Sequence, residues 1–181
     1  MTIREVPARE IDRALFSHYI RRQVVGKCLR KVRGEWVTVD DPFVDDWTEE
    51  DYHDRAARMK STGEAGGVLL GAFVDGRMKG FASLEPTLFG SRREYIDLSR
   101  IHVSEDARGQ GVGRALFEQA KRWAREHGAR KLYISAHSAV ETQAFYRAVG
   151  CAEAKEYDPA HVAKEPCDCQ MECALYDKTE E

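Results

Sequence analysis

The segment best equipped for chemistry is Val103-Ser104-Glu105-Asp106-Ala107-Arg108-Gly109-Gln110-Gly111-Val112-Gly113-Arg114. A strand pattern runs into a loop with glycine at every second position, and a helix pattern leaves it. The first turn of a helix has backbone N–H groups with no internal partner, and the helix dipole makes that end positive. Glycine removes the side chains that would hold an anion away, so a phosphate can reach those donors. Arg108 and Arg114 add charge at either end. The natural ligand is a pyrophosphate or another multiply charged anion. A dinucleotide fold would need G-x-G-x-x-G early in a strand–helix–strand unit, whereas position 114 is arginine. A P-loop would need G-x4-G-K-[ST], which is absent. The competing reading is a plain glycine turn ahead of a core helix.

Two other clusters could carry chemistry. Cys167, Cys169 and Cys173 invite a metal, but their C-x-C-x3-C spacing lacks the paired C-x2-C knuckles of a zinc site. From Cys169 onward, Cys169, Met171, Cys173 and Leu175 alternate with Gln170, Glu172, Ala174 and Tyr176. That period of two is a strand with a buried thiol-bearing face, so no metal is expected. Residues 40–54 hold eight acidic residues and no basic one, with Trp36, Phe43 and Trp47 beside or among them. Such a wall would suit a cationic, partly apolar amine. The alternative is a solvated face whose Glu49, Glu50 and Asp51 complement a helix N-terminus.

The elements that must position these groups fit one domain. The chain has 181 residues, 43% hydrophobic and 33% charged, which is the mix of a globular protein. Its net charge of −3 argues against binding nucleic acid by phosphate neutralisation. The longest strongly apolar stretch, residues 68–74, cannot span a bilayer. The start, Met1-Thr2-Ile3-Arg4-Glu5, lacks the apolar segment of a secretory signal. Five cysteines, an odd number, suit a reducing compartment. A cytoplasmic protein is expected.

The patterns predict a strand over 3–6, a helix over 10–25, and two short strands, 27–32 and 35–39, about Arg33-Gly34. Thr48 caps a second helix that ends near Thr62-Gly63. Strands over 67–74 and 78–84 flank Asp75-Gly76, a hairpin signal. A strand over 95–103 leads to a long helix from about Gly111, with Gly128 as its terminal cap. A strand over 132–136 follows. Ser138-Ala139-Val140-Glu141 reads as a capping box for a helix that turns Val140, Ala144, Phe145 and Ala148 inward. Strands near 151–157 and 169–176 complete the count.

Leu98-x2-Ile101-x-Val103, then Arg108-Gly109-x-Gly111-x-Gly113 and Ala115-Leu116, resembles the coenzyme motif of the GNAT N-acetyltransferase superfamily, whose loop reads R/Q-x-x-G-x-G/A. Ala144-Phe145-Tyr146-x3-Gly150 resembles that family's second signature. The motifs cover about residues 95–151, and the order of elements agrees over nearly the whole chain. Glu105 stands where proline is frequent and Cys151 where phenylalanine is usual. Neither Ser138 nor Ala139 is the asparagine often found at the start of the last helix.

The resemblance implies an α/β fold of α+β type: a mixed, mainly antiparallel sheet of six to seven strands, helices on both faces and a splayed central strand pair. It implies one domain over 1–181, with an acetyl-CoA-binding core at 95–151 and substrate specificity in 27–65. Coenzyme contacts are implied for Ile101, His102, Val103, Arg108, Gly109, Gln110, Gly111, Val112, Gly113, Arg114, Ser138, Thr142, Phe145 and Tyr146. The main chain of Ile101 and Val103 would pair with pantetheine amides, and an N–H at Ile101 or His102 would polarise the thioester carbonyl. Tyr146 is implied as general acid to the departing thiolate. Asp97 and Glu94 are candidate bases, His102 is a third, and a water chain to bulk is the alternative.

The expected activity is direct transfer of an acetyl group from acetyl-CoA to a primary amine of a small molecule. Acetylation of a protein N-terminus or lysine is the rival within the class. A non-catalytic acetyl-CoA sensor is the rival outside it. The expected partner is a small amine, with no nucleic acid, membrane or metal, and a homodimer is left open.

Overall fold

The computed structural model describes residues 1–176. In chain order its elements are β1 (Thr2–Glu5), β2 (Arg22–Val32), β3 (Glu35–Asp46), α1 (Glu49–Glu64), β4 (Val68–Val74), β5 (Arg77–Leu84) and β6 (Tyr95–Val103). Then come α2 (Val112–Glu126), β7 (Lys131–Ala136), α3 (Val140–Ala148), β8 (Ala152–Glu153), α4 (Pro159–Lys164) and β9 (Cys169–Ala174). Seven strands form one sheet in the order β1–β4–β5–β6–β7–β9–β8, while β2 and β3 form a separate hairpin. Within the sheet β6 and β7 run parallel and the other neighbours antiparallel.

Helices cover both faces. On one, Leu116, Phe117, Ala120 and Ala124 of α2 pack against Leu70, Ala82, Leu98 and Leu132. On the other, Tyr52, Ala56 and Met59 of α1 join Leu69, Met78 and Phe81, with Phe16, Tyr19 and Trp47 filling the edge. Each fully buried leucine or phenylalanine in these layers contributes about 1.5–3 kcal/mol relative to exposure. At the β4–β5 turn Asp75 (φ 50°) and Gly76 (φ 75°) are both left-handed, as a two-residue type I′ hairpin requires. Cys169, Met171, Cys173 and Leu175 are all buried, as the alternation along β9 predicts.

A bulge decides which way β6 faces. Ser83 pairs with Arg100 and Leu84 with Leu98, so Ser99 is the extra residue. Ile96 and Leu98 before the bulge, and Ile101 and Val103 after it, all pack on the α2 side. Arg100 and His102 are thereby turned to the α1 side, where the His102 ring lies 5.5 Å from Phe81 and 5.8 Å from Trp47.

Three expectations are corrected. The helix predicted over 10–25 is absent. Short 3₁₀ turns at Ala8–Glu10 and Ala14–Phe16 are followed by extended chain. Ile11, Phe16 and Tyr19 are buried on the sheet face, and side chains take the backbone groups a helix would use. Leu15 N–H donates to Asp12 Oδ1, Ile20 N–H to Ser104 Oγ and Arg21 N–H to the Tyr52 hydroxyl, which itself donates to Tyr19 O. The capping box at Ser138 does not form either, because α3 starts one residue later, with Ala139 at its N-cap. Finally, α3 buries Gln143, Tyr146 and Val149 while Ala144 and Ala148 are exposed. The buried Gln143 amide donates to Ala136 O (3.3 Å) and His137 O (2.9 Å), satisfying carbonyls at the end of β7. The predicted strands about Arg33-Gly34 exist but run longer. Helix α4, unpredicted, begins on a readable signal, Asp158 accepting from His161 N–H at 3.0 Å with Pro159 next.

Candidate active site

Strands β6 and β7 pair only at Tyr95↔Lys131, Ile96↔Leu132 and Asp97↔Tyr133. Beyond those pairs β6 continues to Val103 and β7 to Ala136, so the two splay apart. Ser104 N–H donates to Lys79 O on the β5 side (2.8 Å). Antiparallel alternation then points the main chain of Ile101 and Val103 into the gap. These groups need partners that neither neighbouring strand supplies.

The gap opens a cleft of about 660 Å³. Ile101, Val103, Arg108, Gly109, Gly111, Val112, Gly113, Arg114, Thr142 and Phe145 form one part of its lining. Here α2 starts at Gly111 (φ 81°) with no side-chain cap, so its first N–H groups are open. A Cβ at Gly109 or Gly111 would meet no protein atom within 4 Å, which leaves the approach to those donors clear. Gly113 serves packing instead, since a Cβ there would lie 3.2 Å from the Phe145 ring. Among the described residues an unpaired strand edge and an open helix N-terminus flanked by two arginines thus share one cleft. That set fits a coenzyme with amide and pyrophosphate groups.

Tyr146 also lines the cleft and is 6% exposed. Its ring packs beside Phe117 and Phe145, and among the described residues its hydroxyl has no hydrogen-bond partner. Burial pushes its pKa up, so the phenol stays protonated. The second part of the lining holds Arg21, Phe43, Asp45, Arg100, His102, Ser135, His137 and Asp168. Burial, reinforced by Arg21, Arg100, Arg55 and Arg108, holds His102 well below its usual range and therefore neutral. Burial raises the Asp168 carboxyl, which accepts from Ser135 Oγ at 3.2 Å.

A sequence model of the acetyltransferase (GNAT) family matches residues 35–158. The chain belongs to this family. No curated protein sequence matches it. Among solved structures, a nourseothricin acetyltransferase is 20% identical, with a TM-score of 0.68, covering 97% of this chain and 98% of that one. A Bacillus anthracis protein assigned as a streptothricin acetyltransferase, solved with acetyl coenzyme A, is 18% identical (TM-score 0.70; 97% and 98% covered). An aminoglycoside 6′-N-acetyltransferase complexed with coenzyme A is 14% identical (TM-score 0.56; 71% and 84% covered). At these identities the likeness is one of fold: the mixed sheet, two helical faces and splayed strand pair of a GNAT acetyltransferase.

Other residues singled out from the sequence of this GNAT chain lie elsewhere. Gln110 is exposed, its amide on Asp106 O at 3.3 Å. Ser138 is buried and ties the hairpin down: its hydroxyl accepts from Arg30 and its carbonyl from Leu29 N–H (2.7 Å). Asp97 and Glu94 precede the splay and do not line the cleft. Asp97 Oδ2 lies 3.1 Å from His161 Nε2, and Glu94 Oε1 lies 3.0 Å from Lys131 Nζ. Of the acidic stretch only Asp45 reaches the cleft, where it pairs with Arg21. Asp41 pairs with Arg30, Glu49 with Arg13, and Asp51 caps α1. Sequence reasoning passed over Arg100 and Asp168. Nothing local marks Asp168; it reaches the cleft because Ala136 pairs with Cys169. No helix among the described residues is long and apolar enough to cross a membrane.

Proposed function

We propose that this protein is an acetyl-CoA-dependent N-acetyltransferase that acetylates a primary amine of a small molecule. The observation that carries the reading is the main chain of Ile101 and Val103, unpaired by β7 (the Val103 carbonyl takes only Arg108 Nε, at 3.3 Å), in one cleft with the open start of α2 and the partnerless Tyr146 hydroxyl. Acetyl-CoA, when bound, supplies an activated acyl group. The N–H groups at the start of α2, with Arg108 and Arg114, hold its pyrophosphate. Ile101 and Val103 align its amides as an added strand would. The Ile101 N–H points into the gap and donates to the carbonyl oxygen as charge builds there. Tyr146 donates its proton to the departing sulfur.

The amine needs to lose a proton before it attacks. Asp97 and Glu94 are engaged by His161 and Lys131 outside the cleft. We therefore place the base function on Asp168, a cleft carboxylate whose burial raises its proton affinity. Neutral His102 accepts a hydrogen bond from the incoming amine. A cleft of about 660 Å³ supports a small acceptor over a protein segment, and the presence of Phe43 and Asp45 in its lining supports a share for residues 27–65 in substrate choice. The test is release of free CoA thiol from acetyl-CoA with a panel of amines. Amine-dependent release with a matching N-acetylated product is expected. Acetyl-CoA binding without turnover across the panel would identify a sensor.

A further inference from the structure

The acceptor part of the cleft carries a positive charge that the reaction does not use. Arg100 lines the cleft, and among the described residues its guanidinium forms no ion pair or hydrogen bond. The carboxylates whose fields reach it, Glu85 and Asp97, are committed elsewhere. Glu85 accepts from Thr62 Oγ1 at 3.1 Å, and Asp97 meets His161 at 3.1 Å. Arg55 and Arg58 of α1 add to the positive field, and with burial they lower the Arg100 pKa. Two guanidinium donors nearby, Arg21 Nε and Arg55 Nε, are buried with no acceptor. Both guanidinium groups lie over Trp47, at 6.0 Å and 5.1 Å from its ring centroid. Asp45 and Gln23 already take the terminal nitrogen of Arg21, whereas the Arg100 guanidinium, which can only donate, still lacks an acceptor, best an anion.

The other wall of the cleft has the opposite sign. Asp168, beside Ser135, lines it, and its field reaches Tyr146. We infer that the acceptor is a zwitterion: its amine turned to Asp168 and Tyr146, and a carboxylate on the same molecule held by Arg100. A planar guanidinium matches a carboxylate with two parallel hydrogen bonds, which fixes orientation as well as charge. The acceptor class is thus an amino acid or a molecule ending in one. The inference rests on the enzymatic reading above and narrows its substrate.

The experiment compares matched probes: lysine with cadaverine, histidine with histamine, phenylalanine with phenethylamine, and each amino acid with its methyl ester. Glucosamine and glucosamine 6-phosphate form the phosphate arm. With wild-type protein, kcat/KM should favour the free acid over its decarboxylated amine and its ester by about 10- to 100-fold, the range for hydrogen bonds to a charged group. In Arg100→Gln that preference should disappear, mainly through KM, and Arg100→Lys should restore part of it. Binding gives an independent readout: in the presence of CoA, the N-acetylated acid should raise Tm more than the N-acetylated amine, and Arg100→Gln should abolish the difference. Retained stabilisation of the variants by acetyl-CoA shows that they fold. Amines turned over as well as their acids, or a preference for the phosphate, would overturn the inference while leaving the acetyltransferase standing. Turnover of no amine at all would remove the enzymatic reading itself.

Discussion

Tyr146→Phe isolates one proton. The substitution keeps the ring and its contacts with Phe117 and Phe145, and deletes only a hydroxyl that has no protein partner among the described residues. No hydrogen bond within the protein is lost and the hydroxyl opens on the cleft, so stability should stay within about 1 kcal/mol of wild type. For a chain of this length that is a Tm change of about 2–4 °C at most. Thiolate leaves tolerably without protonation, so the acid assists without being indispensable. The chemical step should slow by about tenfold to a thousandfold, or about 1.4–4 kcal/mol of barrier. Because the bond to sulfur strengthens only as the thioester breaks, the loss should fall on kcat with KM for acetyl-CoA little changed. Pre-steady-state release of CoA thiol measures the chemical step directly. An undiminished rate, with chemistry shown to be limiting, would make Tyr146 a packing residue and hand the proton to water.

Gly111→Val should act twice. The left-handed backbone (φ 81°) disfavours a branched residue, lowering stability by about 1–2 kcal/mol, and the side chain projects into the open approach to α2. Stabilisation by acetyl-CoA in a thermal melt should vanish, and stabilisation equal to wild type would place the coenzyme elsewhere. His161, between Asp97 and Asp158 and beside Phe89 and Tyr133, has its pKa raised to about 9, chiefly by the hydrogen bond to Asp97. A raised folded pKa stabilises fully below about pH 6.5 and is lost as pH climbs through about 9, a loss of about 1–3 kcal/mol. Urea melts at pH 6 and 9.5 should show this fall, and His161→Gln should flatten it; an equal fall in both proteins would refute the assignment. Among the five cysteines only Cys167 is exposed. A thiol reagent should therefore titrate one group in the native protein and five after denaturation, and fast native reaction of several thiols would mean that the β9 face opens.

The glycine loop, the β4–β5 hairpin, α1, α2 and the buried face of β9 were legible in the sequence because each is set by local chemistry. Caps, turn residues and hydrophobic period act within a few positions of the chain. Residues 10–25 misled because their apolar spacing also suits irregular chain laid on a sheet, with Asp12 locally and Tyr52 and Ser104 from elsewhere in sequence completing its backbone bonds. The face of α3 misled for a related reason: Gln143 is inward because carbonyls at the end of β7 need a donor, and no helical pattern contains that demand. The coenzyme half of the cleft lies on one continuous strand–loop–helix, so its spacing is itself the signal. The acceptor half is assembled from β2, β3, β6, β7 and the approach to β9. A bulge at Ser99 aims Arg100, and the pairing of Ala136 with Cys169 brings in Asp168. Those are register decisions between strands far apart in sequence, where one residue of slip moves a side chain to the opposite face. Only the tertiary structure could make them.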